Sequence, residues 1–247
     1  MTTLVWEGCL NVRDLGGLPT EDGRHIRDGA VVRSDNIRRL TDEGWRSLRQ
    51  HGVERIIDLR WPTELAEDQP RDVDIEVVHI SVLGEDFDPD YVADLDEHLH
   101  SVDEVVDHYV WSYLDFLERY RERFGRAIAA VADAEGTVVV HCLGGKDRTG
   151  LVAALLLRLA GVGLETIGAD YAASGPNLEP RSVQWIAEAP DDVERAKREL
   201  LSHTPAEGIE RVLAEIERRY GDVGGYLRAA GLTEGQLGRL RERLVAP

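Results

Sequence analysis

The sequence predicts an α/β fold: a central, mostly parallel sheet flanked by helices, with a helical extension at the C-terminal end. Three observations predict it. Short β-branched runs alternate with helical patterns through the first part of the chain. A helix that is apolar nearly all round follows the last of those runs. From about residue 204 onward only helical patterns remain, broken at glycines. With 247 residues, 43% of them hydrophobic, the chain can bury one good-sized core. A single domain over residues 1–247 is expected, with residues 204–247 as an appendage too small for a core of its own.

The elements follow in order. "AVVRS" (Ala30 to Ser34), "VERIIDL" (Val53 to Leu59), "IEVVHISV" (Ile75 to Val82) and "TVVVHC" (Thr137 to Cys142) read as strands. Between the first two, Thr41 is an N-cap and Gly52 a stop for a short helix. "SVDE" at Ser101 to Glu104 reads as a capping box opening a helix through Tyr120. "TGLVAALLLRLAG" reads as a buried helix closed by Gly161. "SGPNLEPRSVQWIAEAP" reads as turn-rich, and "PDDVERAKRELLSH" as helical. Three helices follow from Thr204, where "TPAE" supplies a cap and Pro at the first helical position; "TEGQ" at Thr233 is a second capping box.

Composition narrows the function classes. Lys and Arg number 29 against 47 Asp and Glu, a net charge of −18. So acidic a chain is repelled by nucleic acid, and no nucleic-acid partner is expected. Two cysteines, Cys9 and Cys142, make no disulfide framework. The N-terminus lacks a basic, then apolar, export pattern, and "LVAALLL" is too short to span a bilayer. A cytoplasmic protein is expected.

The chemistry concentrates in "HCLGGKDRTG", residues 141–150. Cys142 and Arg148 are six apart, directly after a buried strand and directly before a helix. Such a loop gathers unpaired N–H donors at a helix N-terminus, which makes an anion cradle from Leu143, Gly144, Gly145, Lys146 and Thr149. Gly144 and Gly145 let the backbone approach closely, and Arg148 adds a fork for two phosphate oxygens. A free thiol titrates near about 8.5, and helix N-termini with cations pull it to roughly 3.5–7.5. Cys142 is therefore expected as a thiolate nucleophile, with Thr149 able to bond the sulfur. The reaction this suits is phosphoryl transfer through a cysteinyl-phosphate, then hydrolysis. A Walker A loop fails, since Asp147 follows Gly145-Lys146. No metal and no cofactor are called for.

These residues resemble the signature of the cysteine-dependent protein tyrosine and dual-specificity phosphatases. The "GKDRTG" form is similar to the bacterial tyrosine phosphatase family typified by a mycobacterial enzyme. "NVRDLGG", "VVRSDNIRRLTDEG", "IIDLRWPTE" and "YGDVGGYLRAAGLTEGQLGRLRERL" extend the likeness over nearly the whole chain. The resemblance implies a phosphatase-type sheet, a phosphotyrosine protein or small phosphomonoester as substrate, and a helical lid, which here falls at residues 174–203 with Trp185 reaching inward. Phosphoinositide or dual-specificity activity is the alternative, and only the former would bring a membrane in. A silent phosphate-binding module is the rival from another class.

The leaving group needs a proton donor. Asp147 is one candidate; Asp86 or Asp88, in "LGEDFDPDY", is the other. Asp58, Arg60 and Glu64 are expected to brace the cradle, as is a buried Arg13–Asp14 pair. His98, His100 and His108 read as scattered surface histidines. Cys9 is either a buried bystander or a disulfide partner of Cys142.

Overall fold

The computed structural model describes residues 1–68, 73–85 and 88–246. Its strands are β1 (Thr2–Thr3), β2 (Arg13–Asp14), β3 (Val31–Ser34), β4 (Val53–Asp58), β5 (Glu76–His79) and β6 (Thr137–His141). They form one sheet in the order β1-β2-β3-β6-β4-β5. β3, β6, β4 and β5 run parallel, and β1 and β2 are antiparallel at one edge. The last strand in sequence thus lies in the middle, between β3 and β4. Open α/β sheets place their ligand crevices at such a switch point, beyond the strands' carboxyl ends, and Cys142 is the next residue after β6.

The helices are α1 (Asp42–Gln50), α2 (Pro62–Ala66), α3 (Pro89–Ser101), α4 (Val105–Arg119), α5 (Arg121–Ala132), α6 (Asp147–Leu159), α7 (Leu164–Ala172), α8 (Ser174–Ala187), α9 (Asp192–Ser202), α10 (Ala206–Tyr220), α11 (Val223–Ala229) and α12 (Glu234–Leu244). Among the described residues, no helix is long and apolar enough to cross a membrane.

The strands alternate between two apolar clusters, as a period of two requires. Val31, Ile57, Val138, Val140 and Cys142 join the cluster shared with α4–α6 and α10–α12. Val32, Ile56 and Val139 join the other, with Trp45 and Leu48 of α1. Cys142 therefore emerges on the face that α6 covers. Helix α6 is the most deeply buried helix, with Leu151 to Leu157 all within the core.

Several local expectations hold. Thr41 accepts from the Gly44 amide as N-cap of α1, and Thr233 and Gln236 form the capping box of α12. Gly161 closes α6 at φ 86°. Others are corrected. Ser101 opens no helix: it ends α3, and its hydroxyl donates to the His98 carbonyl. The start signal overlooked is Asp88 with Pro89, since Asp88 accepts from the amides of Asp90 and Tyr91. The segment read as turn-rich is helix α8. Pro176 falls in its first turn, where a missing N–H costs nothing, and Pro180 is tolerated inside it. Thr204 does not cap α10; its hydroxyl donates to the Ala172 carbonyl.

Ile209, Val212, Leu213 and Ile216 of α10 and Leu237, Leu240 and Leu244 of α12 lie in the same cluster as the sheet. Leu213→Ala should therefore cost about 2–5 kcal/mol, the range for a buried leucine. All five tryptophans precede residue 204. Tryptophan fluorescence and far-UV circular dichroism should then report one shared unfolding transition, shifted together by the substitution. Two separate transitions would mark residues 204–246 as an independent unit.

Candidate active site

The loop between β6 and α6 is set by its carbonyls. The Asn36 amide donates to the Leu143 carbonyl at 3.1 Å. The Asn11 side-chain amide donates to those of Gly144 and Gly145 at 3.2 and 3.1 Å. Arg33 donates to the Gly145 carbonyl at 2.7 Å. With the carbonyls tied to the surrounding strands, the loop amides are left to the other side. Among the described residues, the amides of Leu143 to Thr149 find no protein acceptor, as the N-terminus of a helix such as α6 dictates.

Only one of the two loop glycines is forced by the backbone. Gly145 has φ 66°, and a Cβ there would meet the Ser34 carbonyl oxygen at 2.5 Å and the Asp35 nitrogen at 2.6 Å. Gly144 has no positive φ, and a Cβ would reach only Leu178, at 3.9 Å.

Cys142 is 2% exposed and lies at the base of this loop. Arg148 makes a two-pronged pair with Glu64, at 2.5 and 2.7 Å, and lies over the Trp61 ring. Burial opposes its charge, but Glu64, Cys142 and Asp147 together push the guanidinium above its ordinary value. The fork to Glu64 leaves further N–H groups for an anion. Thr149 Oγ1 is buried with no hydrogen-bond partner among the described residues. An orphaned buried hydroxyl at the loop's helical end points to a use there.

Two layers of ion pairs hold this arrangement. On one side Arg60 is fully buried against Asp58, which stands 3.4 Å from His141 Nε2. Burial holds His141 below the ordinary histidine range, against the pull of Asp58. On the other side, Arg13 does not pair with Asp14 as expected. It pairs with Asp170 of α7 at 3.0 Å, and Arg33 pairs with the same carboxylate. Asp14 instead accepts from the amides of Gly16 and Gly29 and faces His51, because it lies on the opposite side of the strand from Arg13. Burial would raise the Asp170 carboxyl, but Arg33 and Arg13 outweigh it and hold it below its ordinary range. Burial and the neighbouring Arg33 lower Arg13 to about 10. No spacing in the sequence ties Asp170 to residues 13 and 33.

A cavity of about 780 Å³ opens over the loop, lined by Leu143, Gly144, Lys146, Asp147 and Arg148. Trp61, Tyr109, Tyr113 and Phe116 give it aromatic walls, and Leu178, Arg181 and Trp185 of α8 with Leu201 of α9 close one side. Asp147 accepts from the Tyr113 hydroxyl, which also bonds Tyr171 at 2.7 Å. Lys146 lines the cavity, but its ammonium donates to Tyr109 Oη at 2.9 Å and the Leu201 carbonyl at 2.6 Å. Asp88 is committed to capping α3 and does not line the cavity; Asp86 lies outside the described residues. Cys9 and Cys142 are both free thiols. Cys9 donates to the Asn36 carbonyl, and burial with the nearby Asp35 pushes its thiol well up. The histidines are not all scattered: His98 stacks on Trp111 and stands 3.4 Å from His108, which burial and His98 lower to about 4.

Sequence comparisons place the chain among phosphatases. The model of the tyrosine phosphatase family matches residues 4–246. The chain is 30% identical to the triple specificity protein phosphatase PtpB of Mycobacterium tuberculosis, over 96% of this chain and 97% of that one. It is 31% identical to a tyrosine-protein phosphatase of Nostoc commune, over 87% of this chain and 74% of the other.

The Asp170 pairing carries a pH signature. A carboxyl held below its ordinary range stabilises the fold above its unfolded value, near about 3.9, and loses that contribution as pH falls through the folded value. Asp170→Asn should cost about 3–5 kcal/mol near neutral pH, since it strands two buried arginines. The gap to wild type should narrow below about pH 4. Urea denaturation at neutral and acid pH measures both, and a gap that widens in acid contradicts the assignment.

Proposed function

The chain belongs to the tyrosine phosphatase family, and on that footing we propose how its residues divide the work. Cys142 is the nucleophile. Its thiolate attacks phosphorus, the bond to the leaving oxygen breaks, and a cysteinyl-phosphate forms. Arg148 and the amides of residues 143–149 hold the equatorial oxygens, whose charge they stabilise. Asp147 gives its carboxyl proton to the leaving oxygen. Its carboxylate then takes a proton from the attacking water as the sulfur–phosphorus bond breaks. Thr149 donates to the departing sulfur.

The observation that carries this reading is the pinned loop: its carbonyls are tied outward, its amides are left without protein acceptors, and it runs from a buried thiol to Arg148. The choice of Asp147 rests on the cavity, which it lines and Asp88 does not. The Tyr171–Tyr113 relay fixes the Asp147 rotamer. Phosphotyrosine is the favoured substrate because the loop that follows the buried Cys142 lines a cavity with aromatic walls. An aryl phosphate can bury its ring against those walls; a phosphoserine side chain has no ring to bury. The Lys146 ammonium, engaged by Tyr109 and Leu201, gives a phosphoinositide reading little support. We place the lid in α8 and α9, which close one side of the cavity and reach the body through Arg181–Asp35 and Lys197–Asp96. The expected location remains the cytoplasm.

The test is hydrolysis of p-nitrophenyl phosphate and of a panel of phosphotyrosine, phosphoserine and phosphoinositide substrates; the name of the mycobacterial relative is the reason for its breadth. Cys142→Ser should abolish turnover. Asp147→Asn should lower kcat by roughly 10²–10⁴-fold and remove the basic limb of the pH–rate profile. A full basic limb in Asp147→Asn would return the role to Asp86 or Asp88. Zero wild-type turnover with anion binding intact would leave only a binding module. For the lid, the double variant Arg181→Ala/Lys197→Ala should speed alkylation of Cys142 by iodoacetamide, and an unchanged rate would remove that assignment.

A further inference from the structure

The pair Arg13 and Arg33 poses a physical problem. They are register partners on the antiparallel strands β2 and β3, and both are fully or almost fully buried. Like charges directly opposite one another are destabilising. One carboxylate, Asp170, bridges them, so the cluster keeps a net positive charge inside the protein. Buried charge of this kind is costly and is not retained for stability alone.

The two arginines spend their remaining donors differently. Arg13 turns to the Asp170 carbonyl, the Ser174 hydroxyl and the Asn11 side chain. Arg33 shares the Ser174 hydroxyl (3.3 Å) but also reaches the loop itself, at the Gly145 carbonyl (2.7 Å) and, more weakly, that of Lys146 (3.4 Å). Gly150 completes the arrangement. A Cβ there would stand 3.1 Å from the Tyr171 ring and 3.4 Å from the Arg33 guanidinium, so a glycine lets the first turn of α6 lie close against both.

We infer that Arg33 is a positioning residue for the phosphate loop: held by Asp170, it fixes the Gly145 carbonyl away from the anion site and places a permanent positive charge behind the loop. Several other charged or titratable groups stand against the loop. Lys146 and Asp147 are its own residues, Arg148 is held by Glu64, Tyr113 by Asp147, and Asp35 by Arg181 and two amides. Among side chains of the described residues, only Arg33 and the uncharged Asn11 donate to carbonyls of residues 143–146. Loss of the Arg33 guanidinium therefore has two effects of one sign. The carbonyl is released toward the site, and a positive charge is removed; both weaken a bound anion and both disfavour the Cys142 thiolate.

The inference rests on reading residues 142–149 as the phosphate site, and its test does not use turnover, so the two can fail separately. The pH dependence of Cys142 alkylation by iodoacetamide is measured, with inorganic phosphate as the protecting anion, in the full chain. Arg33→Gln should raise the alkylation midpoint by about one pH unit and weaken phosphate protection about tenfold. Arg33→Lys keeps the charge without the fork that spans Asp170 and Gly145. It should leave the midpoint nearer wild type and still weaken phosphate severalfold. A purely structural role would lower the melting temperature of both variants and move neither readout. The proposal is overturned if folded Arg33→Gln keeps the wild-type midpoint and phosphate affinity. Should Arg33→Gln not fold, wild-type phosphate affinity in Arg33→Lys overturns it just as well.

Discussion

Everything at this site depends on where the carbonyls of residues 143–145 point. A peptide group is a dipole, and a loop that offers its N–H groups to an anion must turn its C=O groups somewhere else. Here they go to the Asn36 amide, the Asn11 side chain and Arg33, all carried by β2, β3 or the residues beside them. The two strands at the sheet's antiparallel side are short, but they place these donors next to β6. Gly145 makes the contact possible, since any side chain there would strike Ser34 and Asp35. Sheet order, strand register and one glycine thus act on a single quantity, the direction of a few dipoles.

That arrangement explains how a chain of net charge −18 holds an anion site. The overall charge acts at long range and is screened beyond about 10 Å at moderate salt. At the loop the positive charges are Arg148 and Lys146, which line the cavity, Arg33 buried behind the loop, and the head of α6. Their nearest carboxylates are committed, Glu64 to Arg148 and Asp170 to two arginines at once. Of the described acidic residues between 74 and 118, Asp96 lines the cavity, and it pairs with Lys197. The net charge therefore governs which macromolecules approach, and the local geometry governs what is bound.

The fold was largely legible because its strands carry dense β-branched runs and its helices carry caps or a continuous apolar pattern. β3, β4 and β6 lie within a residue or two of their sequence runs; Asp147 and Arg148 line one cavity, and Cys142 is buried at the start of the same loop. What stayed hidden is what one-dimensional periodicity does not encode. Helix α8 contains two prolines and a glycine, so its propensity argues against it; Leu178 against the loop, Asn177 against Asn11 and Arg181 against Asp35 hold it instead. The Arg13 partner was misplaced onto its neighbour Asp14 because adjacent residues on a strand face opposite ways, and the true partner is 157 residues away. His98 and His108 meet only because α3 packs on α4.

The hidden residues are also those whose presence costs stability. A buried Arg–Asp–Arg cluster would be replaced at a gain by well-packed apolar side chains of similar volume if cohesion were its only task. The same holds for the Thr149 hydroxyl, buried without a partner. Local rules are broken where function asks for it. Three such broken rules stand at the phosphate loop or directly behind it: a positive-φ glycine pressed on a backbone, two like charges facing across a ladder, an unsatisfied hydroxyl. Each violation moves potential or donors toward the same point.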